Sequence, residues 1–184
     1  MRTDQEMRWK TLHSEYLIRR PWLTARRDTV ELPDGRVYDE YYVLEYPDWI
    51  NVIAITDDGQ YILERQWRHG LDIASTEICA GVVEAGEQPL DAAKRELEEE
   101  TGYGGGEWSL LMVTAPNPGA MTNHCYSYVA RGVRRIAERH LDPNEDIDVL
   151  FLPREEVIKM LRQGDFQQAL MVAPLWRHFA GDLR

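Results

Sequence analysis

Cysteine, net positive charge and long apolar runs are all scarce in this sequence of 184 residues. Its two cysteines, Cys79 and Cys125, lie in apolar stretches without zinc-type spacing, which excludes a disulfide framework and favours a reducing compartment, the cytoplasm. The net charge of −11, from 21 basic and 32 acidic residues, disfavours nucleic acid and anionic membranes as partners. An uncharged stretch at 110–130 is interrupted by Pro116 and Pro118, and the charged N-terminus lacks the apolar core of a secretory signal. Neither a membrane span nor a secretion signal is therefore predicted.

The apolar residues that are present, 43% of the chain, are distributed over short strands and a few helices. This mixture predicts a globular chain of the α+β or α/β sandwich type and not a doubly wound sheet. Helices are predicted at three places, with Pro174 expected to kink or split the last one. The helices are 90–101, 153–163 and 166–179, and the strands, from their β-branched and aromatic residues, are 28–32, 37–44, 49–56, 60–67, 108–115, 125–130 and 147–152.

Residues 90–101 carry the most informative pattern of charge. On a helical wheel, Glu96 and Glu100 lie one turn apart on the shoulder of a narrow apolar stripe. Two carboxylates about 5 Å apart repel by about 3 kcal/mol at an effective dielectric of about 20, so a cation is expected there. Oxygen ligands without histidine or cysteine favour Mg²⁺, or Mn²⁺ in its place, and Mg²⁺ typically joins carboxylates to substrate phosphates. The helix alone leaves a second interpretation open, that of a charged and solvated face.

The residues around this helix resemble a known family. The resemblance is to the Nudix box, and it implies the Nudix fold, an α+β fold built as an α/β/α sandwich in which helices enclose a mixed central sheet. It also implies hydrolysis of a nucleoside diphosphate linked to another moiety, with two or three Mg²⁺ ions that activate a water and neutralise the departing phosphate. The nine matching positions, spread over 23 residues, are Gly81, Glu87, Arg95, Glu96, Leu97, Glu99, Glu100, Gly102 and Tyr103.

The same resemblance implies a set of metal ligands. It makes Glu96 and Glu100 the principal ligands and Glu99 a further ligand or a base. The backbone carbonyl of Ala80, just before the box glycine, would be an additional ligand.

Catalytic support is expected from three further residues. Arg95 would hold the glutamates by charge-assisted hydrogen bonds, and Glu87 would orient Arg95. The loop that follows Pro118 lacks the acidic residues often found there in related enzymes, so a base outside the box would have to come from elsewhere. Glu145, in the acidic segment 142–148, is the candidate, and a solvated surface loop is the alternative for that segment.

Outside the box, a less specific resemblance to the ADP-ribose and ADP-sugar pyrophosphatases covers most of the chain. It depends on the turn region 30–35, on segments 66–68 and 77–81, and on Pro118, which stands where members that cleave ADP-ribose tend to have a proline. The resemblance implies a nucleoside diphosphate sugar as the substrate and Pro118 as a residue that binds it.

This resemblance also implies a division of the chain and two more substrate contacts. An N-terminal antiparallel β subdomain at 1–46 would build a homodimer, and the Nudix hydrolase domain would follow at 47–184. Arg68 would contact the diphosphate or a ribose, unless it is an ordinary arginine at a strand end. Glu77 would bind a ribose hydroxyl or a water on the metal, unless it is an ordinary glutamate at a strand edge.

The reaction predicted first is the Mg²⁺-dependent cleavage of ADP-ribose to AMP and ribose 5-phosphate. Cleavage of GDP-mannose, of a dinucleoside polyphosphate or of another nucleotide cofactor is the enzymatic alternative, because the box determines the diphosphate chemistry and not the leaving groups. A non-catalytic sensor of nucleotide sugars is the alternative from another class. The presence of every box glutamate disfavours it.

Overall fold

The computed structural model describes residues 1–181 and divides into two compact units. The first unit comprises Met1–Tyr46 together with Ala115–Asn123, and the second holds the rest of the described chain.

The first unit is a three-stranded antiparallel sheet in the order β1-β2-β3. The hairpin predicted around the Pro33–Gly35 turn is present, but a further strand, β1, was not predicted, because all eleven of its residues are exposed and show no apolar alternation. The loop from the second half of the chain pairs here, since Leu44 N donates to Ala120 O over 2.7 Å. The elements are helix α1 (Asp4–Met7) and strands β1 (Lys10–Arg20), β2 (Leu23–Glu31) and β3 (Val37–Glu45).

The second unit is built on an eight-stranded mixed sheet, whose central path is β11-β5-β4-β10-β8. Only β10 and β4 run parallel, and the other pairs in this sheet are antiparallel. Strand β6 pairs with β5, β7 with β4 and β9 with β10. The strands are β4 (Trp49–Thr56), β5 (Tyr61–Arg68), β6 (Ile73–Glu77), β7 (Cys79–Val82), β8 (Tyr103–Gly104), β9 (Glu107–Thr114), β10 (Cys125–Arg135) and β11 (Ile147–Leu152).

Helices cover both faces of this sheet, as the period-two alternation of β4 requires. Its residues Ile50 and Val52 pack toward helix α2 (Pro89–Thr101), whereas Ile53 and Ile55 pack with helices α3 (Arg154–Gln163) and α4 (Ala169–His178). The predicted α/β/α sandwich is therefore confirmed.

Helix α4 runs through Pro174 from Ala169 to His178, so the predicted split does not occur. A proline lacks the N–H that would bond to the carbonyl four residues earlier, that of Leu170. The buried side chain of Asn51 on β4 donates to this carbonyl instead, with 2.7 Å between Nδ2 and O. A side chain of the sheet thus takes the place of the missing helical hydrogen bond.

None of the helices between residues 1 and 181 combines the length and the apolar character needed to cross a bilayer.

Candidate active site

Helix α2 carries most of the predicted site, and its sequence explains how it is placed. Pro89 stands in its first turn, and Gly102 ends it in the left-handed conformation with φ 78°. Ala93 and Leu97 are fully buried against the sheet. Glu100 lies on the same face and is only 4% exposed, so it is more deeply buried than the half-buried position predicted for it.

Gly81 lets the helix approach strand β7 closely. A Cβ atom on this residue would lie 2.1 Å from the carboxyl carbon of Glu96, so any side chain here would displace the Glu96 carboxylate. Ala80, the residue before it, pairs with Asn51 of the central strand β4. The backbone around Ala80 and Gly81 is therefore held against the Glu96 carboxylate by the sheet.

Arg95 joins the carboxylates of the box. Its Nε and Nη2 atoms each donate to one Glu87 oxygen over 3.0 Å, and its Nη1 donates to Glu96 over 2.9 Å and to Glu99 over 3.0 Å. Nη2 also reaches the Val82 carbonyl. This is the pairing that the sequence predicts for Arg95 and Glu87, although their catalytic roles stay predictions.

The charges within this network shift the titration of its members in different directions. Hydrogen bonds to Glu87 raise the pKa of Arg95, and the same bonds lower the pKa of Glu87. Burial raises the pKa of Glu96, and the nearby Arg95 only partly offsets it. Arg95 therefore compensates only part of the free-energy cost of burying the ionised Glu96 carboxylate.

A buried cluster lies at the inner end of the helix and includes two residues that the sequence reasoning missed. Ligand atoms of Glu64 on β5, Cys79 on β7 and Glu100 all lie within 4.8 Å of one another. Glu64 is 0% exposed, and apart from a proton shared with the Glu100 carboxyl its oxygens have no hydrogen-bond partner anywhere in residues 1–181. The sequence signal that could have revealed Glu64 is its position, since it is an acidic residue directly after the apolar residues 61–63 of a strand.

Burial dominates the titration of all three groups. Burial, and after it the negative charge of Glu100, raises the pKa of Glu64 well above its usual value. Burial, followed by the charges of Glu96 and Glu145, raises the pKa of Glu100 to about 7. Burial likewise raises the pKa of the Cys79 thiol.

The loop 136–146 brings Glu145 within electrostatic range of Glu100 and is attached to the end of α2. Arg139 Nε donates to the Glu100 carbonyl over 2.8 Å, and His140 N donates to the Glu99 carbonyl over the same distance. Arg139 was not predicted, because its contacts are to backbone carbonyls that no sequence pattern marks.

Arg68 and Glu77 form a two-bond ion pair, with 2.9 Å from Nε to Oε1. Arg68 also lines a cavity of about 220 Å³ beside Gly81, together with Gln168 at the start of α4. Glu77 is buried, its carboxylate is paired with Arg68, and it does not line this cavity. Pro118 is exposed in the segment Ala115–Asn123 of the first unit. The substrate contacts predicted for these residues remain predictions.

The donor set of the box fits a hard divalent cation. The side chains of Glu96, Glu99 and Glu100 and the Ala80 carbonyl offer only oxygen atoms, which Mg²⁺ and Mn²⁺ prefer. Glu100 Oε2 is buried without a hydrogen-bond partner in the described chain, so it has an unused lone pair. Acidic oxygens arranged in this way can bind a cation and, through it, the phosphates of a ligand.

Comparisons with known proteins agree with this geometry. Residues 46–173 match the family model described as the NUDIX domain, and residues 9–44 match the model described as the nucleoside diphosphate sugar hydrolase N-terminal domain.

Individual relatives cover nearly the whole chain. The methanol dehydrogenase activator of Bacillus methanolicus is 32% identical over 155 residues, which are 84% of this chain and 83% of that protein. The ADP-ribose pyrophosphatase of Bacillus subtilis strain 168 is 30% identical over 161 residues, 87% of this chain and 86% of that protein. A crystal structure of an ADP compounds hydrolase superposes with a TM-score of 0.80 over 96% of both chains, at 24% identity, and supports the fold.

Proposed function

Because the chain belongs to the Nudix family of hydrolases, we propose that it cleaves the diphosphate linkage of a nucleoside diphosphate sugar, with ADP-ribose as the preferred substrate and AMP and ribose 5-phosphate as products. The observation that carries this proposal is that Arg95 holds the carboxylates of Glu96 and Glu99 together. The buried carboxylate of Glu100 lies on the same helix.

Two findings support the choice of substrate. The N-terminal residues match a model whose description names nucleoside diphosphate sugar hydrolases. The Bacillus subtilis relative, similar over most of its length, is an ADP-ribose pyrophosphatase.

Mg²⁺ is the proposed cofactor, with Mn²⁺ as a substitute. Glu96, Glu100, Glu99 and the Ala80 carbonyl would hold it, because these are hard oxygen donors on the neighbouring elements α2 and β7. When bound, divalent ions supply Lewis-acid activation of the diphosphate and of the attacking water.

The chain's own residues then perform three tasks. Arg95 keeps the Glu96 and Glu99 carboxylates in position, and Glu87 fixes the plane of the Arg95 guanidinium through two parallel hydrogen bonds. Glu145 would accept the proton of the attacking water at its carboxylate, since its loop is attached to the carbonyls of the metal-binding helix.

The cavity beside Gly81 is the proposed site for one end of the substrate. Its volume of about 220 Å³ is smaller than that of pockets for drug-sized ligands, about 300–1,000 Å³, so it has room for one ring system and not for the whole substrate. Arg68, whose Nε and Nη2 are paired with Glu77, places its permanently charged guanidinium at the wall where a diphosphate would enter.

We also propose that the protein is a homodimer formed by the three-stranded unit and that it acts in the cytoplasm. Strand β1 exposes a series of large apolar side chains, and exposed patches of this kind mark interaction surfaces. Both cysteines are unpaired and buried, as suits a reducing compartment.

The proposed function can be tested with purified protein and a panel of ADP-ribose, GDP-mannose, a diadenosine polyphosphate and NADH in Mg²⁺. ADP-ribose should give the highest kcat/KM, with AMP as a product. Glu100→Gln should lower kcat by more than about 100-fold, since losing a mere supporting residue of a metal site costs about 10–100-fold.

Glu98→Gln is the matched control, because Glu98 lies exposed on the opposite face of the same helix. It should keep the wild-type rate. Lack of turnover of every substrate would refute the enzymatic proposal in favour of a sensor, and unchanged turnover in Glu100→Gln would refute the metal assignment.

A further inference from the structure

The buried cluster of Glu64, Cys79 and Glu100 differs in chemistry from the oxygen-only box beside it. It contains a sulfur atom, and its three ligand atoms come from three separate elements, β5, β7 and α2. The box ligands proposed above include Glu100 but neither Glu64 nor Cys79.

Glu64 supplies an independent reason to expect a ligand at this cluster. It is fully buried, and apart from a proton shared with Glu100 its carboxyl oxygens are without a hydrogen-bond partner within residues 1–181. Buried carboxyl groups are normally paired or coordinate a metal, because an unpaired one loses its hydration without compensation.

The positive side chains nearby are bound to other groups. Arg139 donates to the backbone carbonyls of Glu100 and Ile147, and Arg68 is paired with the carboxylate of Glu77. Neither hydrogen-bonds to the carboxyl of Glu64 in the described chain. A small cation is the group that would satisfy all three members of the cluster.

We infer that Glu64, Cys79 and Glu100 form a second cation site, which takes a thiophilic divalent ion such as Zn²⁺ in preference to Mg²⁺. A thiolate is a soft ligand that Mg²⁺ avoids and Zn²⁺ accepts, and mixed sulfur and carboxylate ligands are ordinary for zinc. A coordinated thiol is deprotonated outright, so the ion binds a thiolate and releases the proton to solvent.

This site shares Glu100 with the proposed Mg²⁺ site, which gives it a regulatory consequence. An ion held by Cys79 would also occupy the Glu100 carboxylate, so Zn²⁺ should inhibit Mg²⁺-dependent turnover. This consequence depends on the proposed function, whereas the existence of the site does not.

The site can be tested by titrating the metal-free, reduced protein with Cd²⁺, whose thiolate complexes absorb in the ultraviolet. Wild type should develop this charge-transfer band at one equivalent of Cd²⁺. Cys79→Ser should lose it, and Glu64→Gln should weaken Cd²⁺ binding by at least about tenfold, the lower range for disturbed metal sites.

Cys125→Ser is the matched control, because Cys125 is the other buried free cysteine and lies outside the cluster. It should keep the band. Circular dichroism verifies the fold of each variant, and Cys79→Ala serves as a second variant if Cys79→Ser does not fold.

Three outcomes would overturn the inference: no band in wild type, a band that disappears with Cys125, or full affinity in Glu64→Gln. In the first case Glu64 and Glu100 would share only a proton. Hydrolysis of ADP-ribose without a Cd²⁺ band would reject this site alone, and a band dependent on Cys79 without hydrolysis would reject the proposed function alone.

Discussion

Among single residues, Glu64 stands out because its carboxyl group is fully buried and no donor of the described chain other than the Glu100 carboxyl can hydrogen-bond to it. Its pKa is raised by burial and by the charge of Glu100. A carboxyl whose pKa is higher in the folded than in the unfolded state stabilises the fold fully only below its unfolded pKa, and this contribution is lost as the pH rises. Without metal, the protein should therefore lose stability as the pH rises from the ordinary range of a glutamate, about 4.5, through the raised pKa of Glu64.

Glu64→Gln should reverse part of this loss. In EDTA near pH 8 it should raise the free energy of unfolding by about 1–3 kcal/mol, since an amide, unlike the buried carboxyl, has no ionised form that favours the unfolded state, and near pH 5 it should change stability little. Urea denaturation at both pH values measures the difference. Glu98→Gln should show no pH-dependent gain, and an equal gain at both pH values would contradict the assigned cause.

The residues of the site differ in how far sequence reveals them. The spacing of the box indicates Arg95, Glu87 and the glutamates proposed to bind metal, because these residues lie on one helix and in the loop before it. Glu64 and Arg139 come from other elements, and their relevance depends on which strand and loop meet the helix. That information is long-range and does not appear as a local pattern.

Among the elements, the end of α2 illustrates how a helix cap determines the position of a loop. Gly102 has φ 78°, and a Cβ there would lie 2.6 Å from the Ala137 carbonyl oxygen. Gly164 ends α3 with φ 83° and has no atom of the described chain within 4 Å of such a Cβ. The two glycines share a backbone conformation and differ in crowding.

Gly164→Ala should therefore lower the free energy of unfolding by only about 1–2 kcal/mol, the cost of the left-handed conformation. Gly102→Ala should lower it further and reduce kcat as well, because the loop that carries Glu145 must move away from α2. Chemical denaturation and steady-state kinetics of both variants measure this. Equal losses of stability, with turnover intact, would contradict it.

Asn51 and Pro174 form a second testable link between elements. Asn51→Ala should lower the free energy of unfolding by about 1–3 kcal/mol, because the Leu170 carbonyl loses its donor. In a Pro174→Ala background the loss should be smaller, since the restored N–H can donate to this carbonyl. A double-mutant cycle measures the coupling.

The same cycle with Trp176→Ala is the control, because Trp176 is exposed on the same helix. That pair should be additive to within about 0.5 kcal/mol. Additivity of Asn51→Ala and Pro174→Ala would show that the hydrogen bond does not replace the helical one.

Most elements of the second unit could be predicted, since local patterns mark them. Strand β4 is predicted at its observed bounds and α2 within one residue, because β-branched runs and flanking proline and glycine are local signals. Strand β1 lacked such a signal, because its side chains are all exposed. The continuity of α4 through Pro174 depends on Asn51, more than a hundred residues away in sequence.

At the scale of the whole molecule, the exposed apolar side chains of the first unit predict a dimer. Exposed apolar side chains such as Leu12, Ile18 and Trp22, the last 74% exposed, lie on β1 and the turn that follows it. Light scattering should give a dimer for the wild type. The double variant Leu12→Glu and Ile18→Glu should be a monomer, because charges would be buried in the interface.

Leu110→Glu is the control, since Leu110 is an equally exposed apolar residue on β9 of the second unit. It should remain dimeric. A monomeric wild type, or a dimer that tolerates both charges on β1, would exclude the proposed interface.

The hydrogen bonds of Arg95 also bear on how the proposed metal ions exchange between turnovers. Its guanidinium contacts three glutamates and the Val82 carbonyl, so the chain supplies its own counterion. We therefore expect the proposed ligands Glu96 and Glu99 to release one ion and receive the next without the helix and the loop coming apart. Exchange of ions with the cellular pool then needs only small side-chain movements and no refolding of the site.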